Sequence, residues 1–156
     1  MNKKYLSYDE AVKKLQNFCA YQERCQEEVR SKLIELGIYG EELDRVIADL
    51  IEENYLNEQR FAVCFAGGKF RIKQWGRKKI VQELKAKKIS DYSIRKALES
   101  EISEADYRAT LIEVLQKKAN LLSEKDPHKR KQKLLQYVMT RGFEAQIILE
   151  VLKEKL

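Results

Sequence analysis

A threefold repeat of apolar positions is the feature that most constrains how this chain can fold. Apolar residues recur at five matched places in three segments, offset by 51 and 54 residues, with no gap inside the register. The matched sets are Val29, Ile80 and Leu134; Leu33, Leu84 and Val138; Ile38, Ile89 and Phe143; Leu43, Ile94 and Ile148; and Ile47, Leu98 and Leu152. A period of this length corresponds to one supersecondary unit that is stabilised by packing against its neighbours, so we predict a tandem array.

Each segment has the pattern of three short helices. Apolar residues fall at steps of three and four, which is the spacing of one helix face, from Tyr8 at the start of the first helix to Leu156 in the last. Side chains that can cap a helix start precede these faces at Ser7, Asn57, Ser90, Ser103 and Asp126. We therefore predict an all-α fold of three tandem three-helix repeats in an elongated, curved array, with units at 1–56, 57–103 and 104–156.

The turn before the last helix of each unit holds Gly37, Lys88 and Gly142 in turn. Glycine commonly ends a helix there because it adopts the left-handed backbone conformation without a steric penalty. Lys88 must either adopt that conformation at some cost or end its helix in another way.

The central unit contains a strongly basic segment, Gly67–Lys79, with the sequence GGKFRIKQWGRKK. It has six basic residues, two aromatic residues and three glycines, and nothing acidic occurs between Glu58 and Glu83. The net charges of the three units are −4, +7 and +3. This bias favours a polyanion or an acidic protein groove as the partner, although a solvated helix end and turn would have the same composition.

Other classes of protein find little support in the sequence. The three cysteines, Cys19, Cys25 and Cys64, are irregularly spaced, and with His128 as the only histidine they predict neither a disulfide framework nor a zinc site. We expect them to be small core or boundary side chains. No nucleophile–base pairing or phosphate loop can be recognised, so we expect no enzyme and no cofactor. The amino terminus lacks the apolar run of a signal peptide, and no apolar stretch reaches the ~20 residues of a membrane span. The cytoplasm is the expected location.

Three stretches of the chain resemble the RecX family. Leu56–Ala62 is similar to the family pattern L-[DN]-[DE]-x-R-F-A, and Gly76–Ile89 is similar to G-x-x-[RK]-I-x-x-E-L-x-x-K-G-I. Gln22–Gly37 resembles the corresponding pattern of the first repeat. The departures are Cys25 at a helix-capping position, Val29 in place of Leu, and Lys88 in place of Gly.

This resemblance implies a negative regulator of the RecA recombinase that acts in DNA repair and the SOS response. Family members consist of three tandem three-helix repeats and bind within the groove of the RecA–single-stranded DNA filament. They inhibit strand exchange and ATP hydrolysis by RecA, and some bind DNA directly. We expect a monomer that contacts RecA and single-stranded DNA. A stand-alone helical DNA-binding protein is the alternative that the basic central unit alone would support.

The candidate contacts with RecA or DNA are the cations of the central unit and one tryptophan among them. They are Arg60, Lys69, Arg71, Lys73, Trp75, Arg77, Lys78, Lys79, Lys85, Lys87 and Lys88. Lys69 and Lys73 are predicted on one helix face. Arg77–Lys79 fall at a helix start, where positive charge opposes the helix dipole unless an anionic partner offsets it.

Several roles in this region stay open at the level of sequence. Trp75 could stack on a base or pack over the turn. Arg60 could contact a partner or pair with an acid such as Glu53 or Glu58. Phe70 and Ile72 are predicted to be in the core.

Overall fold

The computed structural model describes residues 6–155, and this part of the chain consists of helices joined by short turns. The helices are α1 (Tyr8–Tyr21), α2 (Gln26–Glu35), α3 (Gly40–Glu52), α4 (Glu58–Arg71), α5 (Arg77–Ala86), α6 (Asp91–Glu101), α7 (Glu104–Leu121), α8 (Pro127–Thr140) and α9 (Ala145–Lys155). We refer to α1–α3, α4–α6 and α7–α9 as the first, central and third units. The prediction of an all-α repeat fold is confirmed, whereas Leu156 lies outside the described residues.

The matched apolar positions form the interior of the three units. Every one of them is buried except Leu98, which is half-buried against the same core. The five predicted capping side chains also lie at helix starts, and each accepts a backbone N–H of the first turn, as Asn57 does from Arg60 at 2.8 Å. Local spacing alone therefore identified both the helix faces and these five helix starts.

The three matched turns share one pattern of hydrogen bonds. The N–H groups of Ile38, Ile89 and Phe143 donate to carbonyls five residues earlier, at 2.9, 3.1 and 3.4 Å. The preceding residue is left-handed each time, with φ of 84° at Gly37, 61° at Lys88 and 99° at Gly142. This is the Schellman arrangement, so Lys88 adopts the costly conformation that the sequence allowed as one of two alternatives.

The buried side chains of the described residues form two hydrophobic cores rather than three. One belongs to the first unit, and the other runs continuously through the central and third units. Phe70 of α4 stacks on Tyr107 of α7, and Tyr107 in turn packs on Phe143, with ring centroids 6.0 and 5.0 Å apart. Cys25, at the start of α2, is the one buried residue of the first unit that joins the second core.

Helices α4 and α6 lie side by side and run in the same direction. Glu58 at the start of α4 accepts from the hydroxyls of Ser90 and Ser93 at the start of α6, at 2.9 and 2.7 Å. At the other end, Arg71 pairs with Glu101 at 2.9 Å. Small side chains, Ala62 and Ala66 of α4 and Ala97 of α6, are fully buried in the same core, which suits a close approach of the two helices.

Two sequence predictions about α4 are wrong. Ile72 was predicted in the core but is 79% exposed, and Cys64 was predicted as a core or boundary side chain but is exposed. The buried face of α4 passes through Ala62, Ala66 and Phe70 at steps of four. Cys64 and Ile72 are two residues away from members of that row, which is about 200° around the helix. Both therefore point away from the core.

Candidate interaction surface

The basic segment Gly67–Lys79 connects the last turn of α4 to the first turn of α5, as the repeat register predicted. Helix α4 ends at Arg71, so Lys73 lies in the turn beyond it rather than on a helix face shared with Lys69. Helix α5 ends at Ala86, so Lys87 is its C-cap residue and Lys88 follows in the turn.

About half of the candidate cations are paired with acids of this same chain. Arg60 pairs with Glu23, Arg71 with Glu101, Arg77 with Glu104 and Glu144, Lys85 with Asp91, and Lys88 with Glu27. The lysine pairs are loose, at 3.8 and 3.7 Å, and well exposed, so they contribute little. The four pairs made by the three arginines are shorter, at 2.5 to 3.3 Å, and hold elements of the fold together.

Arg77 fastens the start of α5 to the third unit. Its guanidinium lies 2.6 Å from Glu104 and 3.3 Å from Glu144, and its backbone N–H donates to the Tyr107 hydroxyl at 2.9 Å. That hydroxyl donates in turn to Glu144, and burial together with this bond raises the pKa of Tyr107. The chain thus supplies internally the negative charge and the acceptors that the start of α5 requires.

The backbone of the third unit completes this junction. The N–H of Gly76 donates to the carbonyl of Arg141 at 2.8 Å, and the N–H of Lys78 donates to the carbonyl of Gly142 at 2.9 Å. A Cβ on Gly76 would overlap the backbone of Gly142 and Phe143, so the two chain segments are in direct contact. Only glycine permits this approach.

Arg60 fastens the central unit to the first. Its Nε lies 2.5 Å from Glu23, and its guanidinium also donates to the carbonyls of Asn54 and Tyr55 at 3.0 and 3.3 Å. The hydrogen bond to Glu23 raises the pKa of the Arg60 guanidinium. The acid is Glu23 of the α1–α2 turn, not Glu53 or Glu58, which the sequence offered as examples.

Three of the remaining candidates, Lys69, Lys79 and Lys87, form a row with two aromatic rings on the surface of the central unit. The Lys87 and Lys69 ammonium groups lie 5.9 and 5.4 Å from the Phe65 ring, and Lys69 and Lys79 lie 5.0 and 4.5 Å from the Trp75 ring. Within residues 6–155, no acid pairs with Lys69, Lys73, Lys78, Lys79 or Lys87. We call these five the unpaired lysines.

Trp75 is partly a core residue and partly a surface residue. It is half-buried against the second core and meets Phe65 edge-on, with ring centroids 6.3 Å apart. Packing over the turn is therefore part of its role, and cations lie over its ring on the outside.

A groove of about 510 Å³ lies between the first and central units, beside this row. One wall belongs to the first unit and carries Gln22, Glu23 and Glu28, while the other side carries Lys69, Lys73 and Lys87. The apolar part of the lining consists of Phe61, Cys64, Phe65, Gly68 and Ile72. Cys64 and Gly68 of α4 and its C-cap residue Ile72 follow one another at steps of four with helical backbone, so they form one stripe.

Neither this groove nor the residues that hold the junctions were predicted from the sequence. Tyr107 and Glu144 were not predicted to meet Arg77, because they lie 30 and 67 residues further along the chain. The signal available for the groove was the phase of α4, since Ile72 is two residues from the buried row at Phe70 and lies between two basic residues. Within the described residues, no helix combines the length and apolar character that a membrane crossing needs.

The fold defines the class of this molecule: it is an all-α protein built from tandem three-helix units. Two family models match the chain, described as the second three-helix domain of RecX over residues 57–98 and the third three-helix domain of RecX over residues 105–152. The chain belongs to the RecX family of regulatory proteins.

Individual relatives agree with this assignment. Regulatory protein RecX of Prosthecochloris aestuarii is 30% identical over 94% of this chain and 93% of its own length. That of Clostridium perfringens strain SM101 is 32% identical over 77% of this chain, and the match spans 56% of that relative's length. The crystal structure of RecX from Lactobacillus salivarius has the same fold, with a TM-score of 0.84 at 24% identity, covering 94% of this chain and 95% of that one.

Proposed function

We propose that this protein is a negative regulator of the RecA recombinase, which binds in the groove of the RecA–single-stranded DNA filament and inhibits ATP hydrolysis and strand exchange. Family membership supports RecA as the partner. The unpaired lysines are the observation that supports the basic surface of the central unit as the place of contact. Charges that lack an acidic partner within residues 6–155 are available to meet acidic groups of a filament. The protein acts by binding, as a monomer in the cytoplasm, and thereby modulates DNA repair.

Of the eleven residues that the sequence suggested as contacts with RecA or DNA, we retain those that do not hold elements of the fold together. Arg60, Arg71 and Arg77 hold structure, so replacing them would change binding and folding together. The unpaired lysines and Trp75 form the proposed contact surface, with Lys85 and Lys88 at its edge. Phosphate contacts by these lysines would make binding strongly dependent on salt.

The test is ATP hydrolysis by RecA on single-stranded DNA in the presence of the purified protein. We expect wild type to inhibit hydrolysis, and we expect the double variant Lys73→Glu with Lys78→Glu to be about tenfold less potent, since like charges repel an acidic partner. Both side chains are exposed, so helicity measured by circular dichroism should not change.

The matched control is the double variant Lys129→Glu with Lys131→Glu on the third unit. These lysines are also exposed, and the change in net charge is the same. Equal loss of potency in both variants would show a general effect of charge and would remove the basic segment from the contact surface.

A stand-alone DNA-binding protein remains the second candidate, because Trp75 and its flanking lysines combine an aromatic platform with positive charge. It would retard single-stranded DNA at physiological salt and leave hydrolysis by RecA unaffected. That combination of results would replace the first proposal with the second.

A further inference from the structure

The groove between the first and central units differs chemically from the rest of the basic surface. Its apolar lining includes Ile72, which is 79% exposed, and the exposed side chain of Cys64. Lysines flank this apolar stripe on one side. Contiguous apolar surface that lines a cleft and has polar residues at its rim is typical of a binding surface.

The two walls of the groove also differ in how much of their charge is already paired within the protein. Glu23 is neutralised by Arg60 at 2.5 Å, while Glu28 faces Arg24 at 3.9 Å and accepts the Cys25 N–H at 3.1 Å. On the opposite wall, Lys69, Lys73 and Lys87 have no acidic partner in the described residues. The groove therefore has an apolar stripe and net positive charge available on one side of it.

These features fit a protein segment better than a nucleic acid. A phosphate backbone carries a charge at every nucleotide, so along the groove it would bring charge against the apolar stripe, whereas a peptide can place an apolar side chain there and carboxylates opposite the lysines. The stripe Cys64–Gly68–Ile72 offers small and aliphatic surface, whereas bases stack on aromatic rings. Of the two aromatic rings in the row with the lysines, Phe65 lines the groove next to this stripe, whereas Trp75 is not part of the lining.

We propose that the groove binds an acidic protein segment that carries a large apolar side chain. The apolar side chain packs on Ile72 and Phe65, and carboxylates beside it pair with Lys69, Lys73 and Lys87. This inference rests on the proposed function, because the segment would come from the recombinase of the filament. It assigns the groove to protein contact and leaves the Trp75 end of the surface to the DNA strand.

Cys64 provides a direct footprint of the groove. Cys19 and Cys25 are buried, and burial raises the pKa of each thiol to about 11, so an alkylating reagent at neutral pH reacts chiefly with Cys64. The extent of alkylation by N-ethylmaleimide can be followed on the Cys64 peptide by mass spectrometry. We expect the RecA filament on single-stranded DNA to slow this reaction about tenfold, and we expect the same DNA alone to leave it unchanged.

The outcomes of this footprint are distinct. Equal protection by DNA alone would show that the groove takes nucleic acid, which overturns the inference. Lack of protection by a filament whose ATP hydrolysis is inhibited would also overturn it, while the proposed function would stand. If wild type neither binds the filament nor inhibits it, the proposed function fails and the inference fails with it.

A pair of exposed aliphatic residues gives an independent test. Ile72→Ser should weaken binding to the filament about tenfold, because an apolar contact is lost, and should leave affinity for single-stranded DNA unchanged. Leu121→Ser is the matched control, since Leu121 ends α7 on the third unit and is 80% exposed, against 79% for Ile72. Equal affinities of the two variants for the filament would overturn the inference.

Discussion

At the scale of single residues, Lys88 shows how a repeat can keep its geometry while losing its preferred amino acid. The first and third units have glycine at the matched turn, and the backbone is left-handed at all three positions. For a residue with a Cβ this conformation costs about 1–2 kcal/mol. The Lys88 side chain recovers little of that cost, because it is 75% exposed and lies 3.7 Å from Glu27.

Replacing Lys88 by glycine should therefore stabilise the protein. We expect Lys88→Gly to raise the free energy of unfolding by about 1 kcal/mol, which is the relief of left-handed strain less the extra entropy of glycine in the unfolded chain. Urea denaturation followed by circular dichroism measures the change. Lys88→Ala removes the same charge but keeps the strain, so it should not stabilise. If the alanine variant is as stable as the glycine variant, the strain is not the cause.

At the scale of elements, the start of α5 is fixed by the turn between α8 and α9. Gly76 lies directly against the backbone of Gly142 and Phe143, and neighbouring N–H groups donate across the same contact. Because backbone atoms cannot move aside as a flexible side chain can, an added methyl group would separate the two elements.

Gly76→Ala should accordingly lower the free energy of unfolding by about 2–3 kcal/mol, through overpacking and loss of the hydrogen bonds across the junction. Gly68→Ala is the matched control, since a Cβ at Gly68 in α4 would meet no other atom within 4 Å. There we expect stabilisation by about 0.5–1 kcal/mol, because alanine is the better helix former. Urea denaturation of both variants tests the pair, and destabilisation of equal size would contradict the contact at Gly76.

The elements also show which parts of the structure the sequence could predict. Caps and helix faces depend on residues three or four positions apart, so Asn57, Ser90 and the matched apolar positions could be assigned directly. Glu23 lies 37 residues before its partner Arg60, and Glu104 and Glu144 lie 27 and 67 residues after Arg77. No local sequence pattern connects residues that far apart. Ile72 was misplaced for a different reason: it is two residues past Phe70, so helical phase turns it about 200° away from the buried row, and its spacing in the sequence already indicated this.

At the scale of the whole molecule, the three units are not equally connected. The central and third units share one continuous core, while the first unit has its own. Of the buried residues of the first unit, only Cys25 enters the shared core, and Glu23 anchors Arg60 nearby. The groove proposed to bind protein lies along this weaker connection, so the position of the first unit sets the width of the groove.

The loss of the Arg60 anchor should loosen the first unit alone. In Arg60→Gln we expect the amides of α1–α3 to exchange with deuterium faster, by an amount equivalent to about 1 kcal/mol, and those of α7–α9 to keep their protection, because units in an array are stabilised by their neighbours. Hydrogen–deuterium exchange with mass spectrometry resolves the three units separately. Arg71→Gln is the matched control, since Arg71 pairs with Glu101 inside the central unit at 2.9 Å and should leave α1–α3 unchanged. Faster exchange in all three units of Arg60→Gln would mean that the two cores open together, and the first unit would then not be able to move independently to adjust the groove.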